Sequence, residues 1–208
     1  MNPDYDTMAW LTYTAQRSAG YEEWLRAEDN PFFNSRPGVA HYSNWKIVDL
    51  LGTPLPFSHF DFFGVEPQAV EQVWFDGPLD EFRAGWVSKW GYAGGVPSPE
   101  NQYGYLMRRR GDGHGRRSRF VLVVGSESPQ DHPGFSRWTC EARLRKHWAI
   151  GPAPAGEPWQ LPVRGISDRP FGVEALLVRS VEAPAEWRRE LPPYAFALLA
   201  ECIAAPDR

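Results

Sequence analysis

Cysteine is scarce in this chain: Cys140 and Cys202 are the only two, with no CxxC spacing and no run of histidines beside them. That excludes a disulfide framework and a zinc cage, and both thiols read as reduced and structural. Long apolar runs are missing too. No window approaches 18 uninterrupted apolar residues, and the opening MNPDYDTMAW is acidic and polar where a secretory leader would be basic. A cytoplasmic location without a membrane partner is the expectation. Positive charge is not in excess, since 22 Lys and Arg face 26 Asp and Glu for a net charge of −4. A broad basic face for nucleic acid or anionic lipid is therefore not expected, and small molecules are the expected partners. No GxGxxG follows a strand pattern and there is no P-loop; Gly111 to Gly115 sits in a polar stretch with no strand before it. No cofactor is expected.

Aromatic residues, by contrast, are abundant. The 208 residues include 12 Phe, 10 Trp and 8 Tyr, and 42% are hydrophobic, which excludes a disordered chain and supplies a sizeable core. Ala9 to Ala15 alternates like a strand. Tyr21, Trp24 and Leu25 then recur at helical spacing, with Pro31 limiting how far that helix runs. Val39 to Val48 and Phe57 to Val65 read as strands, Ala69 to Phe75 as a further short one, and Leu79 to Trp90 as a helix with Leu79, Phe82, Trp86 and Trp90 on one stripe. Gly, Pro and Arg dominate from Gly91 to Arg119. Beyond that stretch Phe120 to Gly125 is a strand, Gly134 to Arg145 has helical spacing, and Phe171 to Val181 alternates as a strand. From Pro184 the pattern is helical, broken at Pro192 and Pro193 and resumed from Tyr194 to Ala204.

The order strand, helix, strand, strand, helix thus occurs twice, which predicts an α+β chain of tandem ferredoxin-like repeats whose antiparallel sheets pack into an α+β barrel. The boundaries are 1–93 for the first repeat, 94–119 for a Gly/Pro/Arg-rich linker and 120–208 for the second repeat. The space between the sheets is the expected pocket.

Tyr21-Glu22-Glu23-Trp24-Leu25, then Arg36-Pro37-Gly38-Val39 before a strand, and Trp74-Phe75-Asp76 followed by Leu79-Asp80-Glu81-Phe82 give residues 9 to 93 their character. In these motifs the first half resembles the RedY-like (HapK) proteins and, more distantly, the EthD-like members of the dimeric α+β barrel superfamily. Residues 120 to 208 keep the order of elements without the motifs. The resemblance implies a place in the synthesis of pyrrole or indole pigments. A tandem member of this general look is the carbazole synthase type of cyclase, which closes an aromatic ring onto an indole without a bound cofactor.

Period-two alternation puts His41, Ser43 and Trp45 on one face of their strand and Tyr42, Asn44 and Lys46 on the other; in the next strand His59, Asp61 and Phe63 share a face. If both histidines face the pocket, His59 is a base oriented by Asp61 and His41 a donor or acid, with no metal required. Glu28 and Glu71 are further carboxylates whose pKa an aromatic cavity would raise. Trp74, Trp86 and Trp90 are the expected walls for a flat substrate, with Tyr42 and Asn44 as polar contacts.

Together these features predict a cofactor-independent cyclase acting on an aromatic, indole-bearing carbonyl intermediate. The chain acts alone or as a homodimer. A cofactor-free monooxygenase of a polycyclic substrate and a non-catalytic binding protein for an unstable pigment precursor are the alternatives.

Overall fold

The computed structural model describes residues 7–13, 20–66, 79, 81–82, 85, 89–90, 103–110, 118–127, 130–143, 171 and 173–206. Eight antiparallel strands close into one barrel: β1 (Thr7–Tyr13), β2 (Val39–Gly52), β3 (His59–Val65), β4 (Tyr103–Arg110), β5 (Phe120–Ser126), β6 (Ser136–Arg143), β7 (Ala175–Val181) and β8 (Phe196–Ala204). Around the barrel they run β1-β3-β2-β8-β5-β7-β6-β4, and β4 returns to β1. The first four strands lie in the order β4-β1-β3-β2 and the last four in the order β8-β5-β7-β6. Each half therefore follows the same rule, and pairings between β2 and β8 and between β4 and β6 join the halves.

Alternation along every strand sorts side chains between inside and outside. Met8 and Trp10 of β1, Phe60 and Phe62 of β3, and Trp45 of β2 meet in the interior. Tyr105 and Met107 of β4 join them there, with Val121 and Val123 of β5, Trp138 of β6, and Phe196 and Leu198 of β8. Trp10 alone packs edge to face against Phe57, Phe60 and Phe171 at 5.7, 6.1 and 5.8 Å. The interior is thus lined by aromatic rings. Outside, Leu122 and Val124 of β5 pack with Leu177, Leu199, Phe135 and Trp187.

The helix of the first half runs α1 (Tyr21–Trp24), a π-helical turn (Leu25–Asp29) and α2 (Asn30–Asn34). Pro31 does not stop it. Proline lacks an N–H and its ring crowds the carbonyl four residues back, so the wider turn just before Pro31 lets the helix pass it. Leu79, Glu81, Phe82, Gly85, Lys89 and Trp90 are helical as their spacing predicts. The segment from Ala69 to Phe75 lies outside the described residues.

The second half departs from expectation. The described part of the Gly134 to Arg145 stretch, residues 134–143, holds β6 and not a helix, because Phe135 and Trp138, three apart, belong on opposite sides of a strand: Phe135 outside and Trp138 in the interior. Tyr194 to Ala204 likewise contains β8, where Phe196, Leu198 and Ala200 face inward while Ala197 and Leu199 face the outer cluster. An apolar run buried on both sides carries no period by which to tell strand from helix. After Pro184 the chain makes only a 3₁₀ turn, Pro184–Glu186. Part of the expected linker is also a strand, since β4 occupies residues 103–110 and pairs with both β1 and β6. Its inward Tyr105 and Met107 carry the pattern, and the adjoining arginines mask it.

Truncating Trp138 to Ala removes a fully buried ring from the interior and is expected to cost about 3–5 kcal/mol, read as a lower midpoint in urea. Gly125→Ala has a different cause, because the Phe196 ring occupies the space of the added Cβ. That change is expected to cost about 1–3 kcal/mol by the same measurement.

Candidate functional site

The pairing of β2 with β3 sets Asn44 opposite Asp61, Tyr42 opposite Phe63 and Lys46 opposite His59. Tyr42 and Phe63 pack with Leu11, Phe33 and Leu79 outside the barrel, so this face of both strands lies beneath the helix. His59 and Asp61 share it. His41 alternates with Tyr42 and shares a face with Ser43 and Trp45, whose ring belongs to the interior. The predicted grouping of His41 with His59 and Asp61 is therefore not formed: the sheet itself separates them. Strand alternation fixes this, because Tyr42 and His41 are adjacent and must point to opposite sides.

What the fold brings to Asp61 instead comes from the π-helical turn. The Tyr42 hydroxyl lies 2.9 Å from Asp29 Oδ2 and 3.0 Å from Asp61 Oδ2. Asn44 Nδ2 lies 2.8 Å from Asp29 Oδ2, 3.0 Å from Asp61 Oδ1 and 3.0 Å from the Tyr42 hydroxyl. Asn30 Nδ2 donates to Asn44 Oδ1 at 3.0 Å and to the Tyr42 carbonyl at 3.1 Å. Asn34 Nδ2 also reaches that carbonyl, and Asn34 Oδ1 accepts the Tyr42 N–H at 2.9 Å. Asp29, Asn30, Tyr42, Asn44 and Asp61 are all buried. Burial raises the Asp29 carboxyl from its ordinary 3.8 to about 7, against the opposing effect of hydrogen bonds from Tyr42 and Asn44. This cluster therefore has a group that exchanges a proton near neutrality.

His59 lies two residues from Asp61 on the same face, roughly 7 Å along the strand. Its Nδ1 is 2.8 Å from Ser58 Oγ, and its ring meets Tyr21 edge to face at 5.7 Å. Tyr21 stacks with Trp24 at 6.2 Å and meets Trp90 at 5.3 Å; Trp24 stacks with Phe82 at 5.6 Å. Trp90 is 7% exposed, and its Nε1–H finds no acceptor among the described residues. Such a buried donor costs free energy until something accepts its bond.

Of the residues read from sequence, Tyr42, Asn44, His59, Asp61 and Trp90 thus lie on one side of the sheet, outside the barrel and not between two sheets as expected. Glu71, Trp74 and Trp86 lie outside the described residues. Glu28 is a surface carboxylate that accepts Trp24 Nε1–H at 2.8 Å and lies 4.0 Å from Lys89 Nζ. Asp29 and Asn30 escaped the sequence reading. The Asn30-Pro31 step signalled a disturbance in the helix, but nothing local indicated that the disturbance aims Asp29 at a strand. Among the described residues no group of three or more His, Cys, Asp and Glu side chains is placed to hold a metal ion, and no helix is long and apolar enough to cross a membrane.

Asn44→Ala removes the amide that serves both carboxyls and is expected to destabilise the protein by about 2–3 kcal/mol in urea titration. The pH dependence has a definite sign. Asp29 is easier to ionise when unfolded, so its contribution to stability declines as pH rises from about 4 to about 7 and is level above. Asp29→Asn is expected to remove that decline, measured as stability against pH.

Comparison of the chain with models of known families, with curated proteins and with solved structures finds no match in any of the three.

Proposed function

We propose that the chain is a cofactor-independent cyclase that closes a ring on an indole-bearing carbonyl intermediate, and that it works beneath the first helix. The observation that carries this reading is the buried Asp29, Tyr42, Asn44 and Asp61 cluster lying beside His59 and an aromatic wall. The repeated strand order supports a tandem ferredoxin-like architecture of the RedY-like kind, in which each half contributes one four-stranded unit. The wall supports the substrate class: Tyr21, Trp24 and Trp90 form an aromatic cluster of the kind that suits a flat aromatic, and the Trp90 N–H, which has no acceptor among the described residues, is a donor for a carbonyl oxygen.

Ring closure by aldol addition and loss of water needs a base beside a carbonyl, a donor for the enolate oxygen and an acid for the departing hydroxyl. His59, with Asp61 on the same face, takes the proton from carbon. Trp90 donates to the oxygen on which negative charge develops. The alkoxide formed as the new carbon–carbon bond closes takes up the proton that His59 removed. His59 then takes a second proton from the same carbon while Tyr42, hydrogen-bonded between two carboxyls, protonates the departing hydroxyl. The proton left on His59 returns to Tyr42 by exchange with solvent, so that one water leaves and both groups are restored. The aromatic wall holds the chain folded and excludes solvent.

The test is incubation with indolyl ketones and aldehydes, followed by absorbance of the new ring system. Tyr42→Phe and His59→Ala are expected to slow turnover by about 100-fold or more, while His41→Ala leaves it unchanged. The reaction is expected to run equally well under nitrogen. A rate that requires dissolved oxygen would instead make the protein a cofactor-free monooxygenase, and saturable binding without product would make it a carrier.

A further inference from the structure

Lys46 belongs to a charged cluster at the margin of the first helix. The pairing of β2 with β3 and β8 sets it directly opposite His59 on one side and Glu201 on the other. Glu201 is taken by Arg119, which reaches its Oε1 with two nitrogens, and Lys46 turns instead to the first turn of the helix. There its Nζ reaches Glu22 Oε1 at 2.7 Å, while Arg26 reaches the other oxygen, Glu22 Oε2, at 3.5 Å. Arg26 is steadied for this contact, because its Nε donates to the Ile203 carbonyl at 2.9 Å. One carboxylate thus has a separate cation on each oxygen. The hydrogen bond from Lys46, with the charges of Lys46, Arg26 and His59 and against partial burial, holds the Glu22 carboxyl below its ordinary range.

This arrangement is open, positive and next to the aromatic wall. The side chains of Lys46 and Glu22 are 47% and 40% exposed. The ion pairs bring three cations, Lys46, Arg26 and Arg119, to two carboxylates, Glu22 and Glu201. Glu22 follows Tyr21, whose ring meets both His59 and Trp90. We propose that Lys46 and Arg26 form a seat for the carboxylate of an aromatic acid, and that Glu22 holds the seat until the ligand arrives. The exchange leaves the charge of the cluster unchanged. It also costs little, since an exposed ion pair adds little stability and the glutamate regains rotamer freedom on leaving. A carboxylate carried on a ring that is itself held by the wall has less freedom left to lose. This deepens the cyclase reading and rests on it for the reaction alone: the indole-bearing carbonyl compounds that serve as substrates carry a carboxylate beside the reacting carbon. Opposed residues of an antiparallel pair stand about 5 Å apart, so a carboxylate on Lys46 brings its neighbouring carbon within reach of His59.

The seat is tested by binding, which needs no turnover. Indole-3-acetate and indole-3-acetamide share a ring and differ in charge, and each is titrated calorimetrically into the full chain at low salt and about pH 7.5, where the acid is ionised. Wild type is expected to bind the acid about fivefold or more tighter than the amide. Lys46→Gln is expected to bring that ratio to about one, with the amide unaffected, and Lys46→Arg to keep most of the preference. Glu22→Gln removes the resident carboxylate and is expected to tighten the acid about threefold or more while leaving the amide as it was. Unchanged affinity for the amide shows that each variant is folded. Equal affinities in wild type overturn the proposal, as does binding of neither compound at millimolar concentration. So do a preference that survives Lys46→Gln and a Glu22→Gln variant that binds the acid more weakly. A preference for the acid in a protein that closes no ring leaves the seat standing and removes the cyclase; ring closure with equal affinity for acid and amide does the reverse.

Discussion

Closure of the sheet is the constraint from which the rest of this structure follows. Once β2 pairs with β8 and β4 with β6, none of these eight strands has a free edge and each has one side turned to a shared interior. The interior is then occupied by rings, Trp10, Trp45, Phe60, Phe62, Tyr105, Trp138 and Phe196 among them. Tyr42, Asn44, His59 and Asp61 stand on the other side. Beneath the first helix that other side is itself buried, and a second, partly polar layer forms there.

That layer is where the energetics are demanding. A carboxyl in such a place must be neutral or be supplied with donors, and Tyr42 and Asn44 each reach both Asp29 and Asp61. The asparagines at 30 and 34 complete the network by binding the backbone and the Asn44 amide. The helix is locally widened at the point where it delivers Asp29, so a backbone irregularity and a perturbed acid coincide. That coincidence is typical of places where a chain gives up stability for chemistry.

Legibility from sequence varied with the range of the interaction. Strands β1, β2, β3, β5 and β7 were readable because alternation of neighbours is a local signal. Strands β6 and β8 read as helix, since Phe135 with Trp138 and the run from Phe196 to Ala204 suit either period. In the site, Tyr42 with Asn44 and His59 with Asp61 were each recognisable as pairs sharing a face, while the partnership of the two pairs depends on the register of β2 against β3. His41 was grouped with the wrong face for the same reason.

By itself the sequence determined relative orientation: which residues of a strand stand together, and that aromatic side chains are numerous enough to fill a core. Only the tertiary structure decided which face is inside, because a two-residue period is symmetric and the choice is made by barrel closure. It also decided that Asp29 meets Asp61, 32 positions away in the sequence. No local pattern encodes that meeting, since it is produced by a helix crossing a sheet and not by the neighbours of either residue.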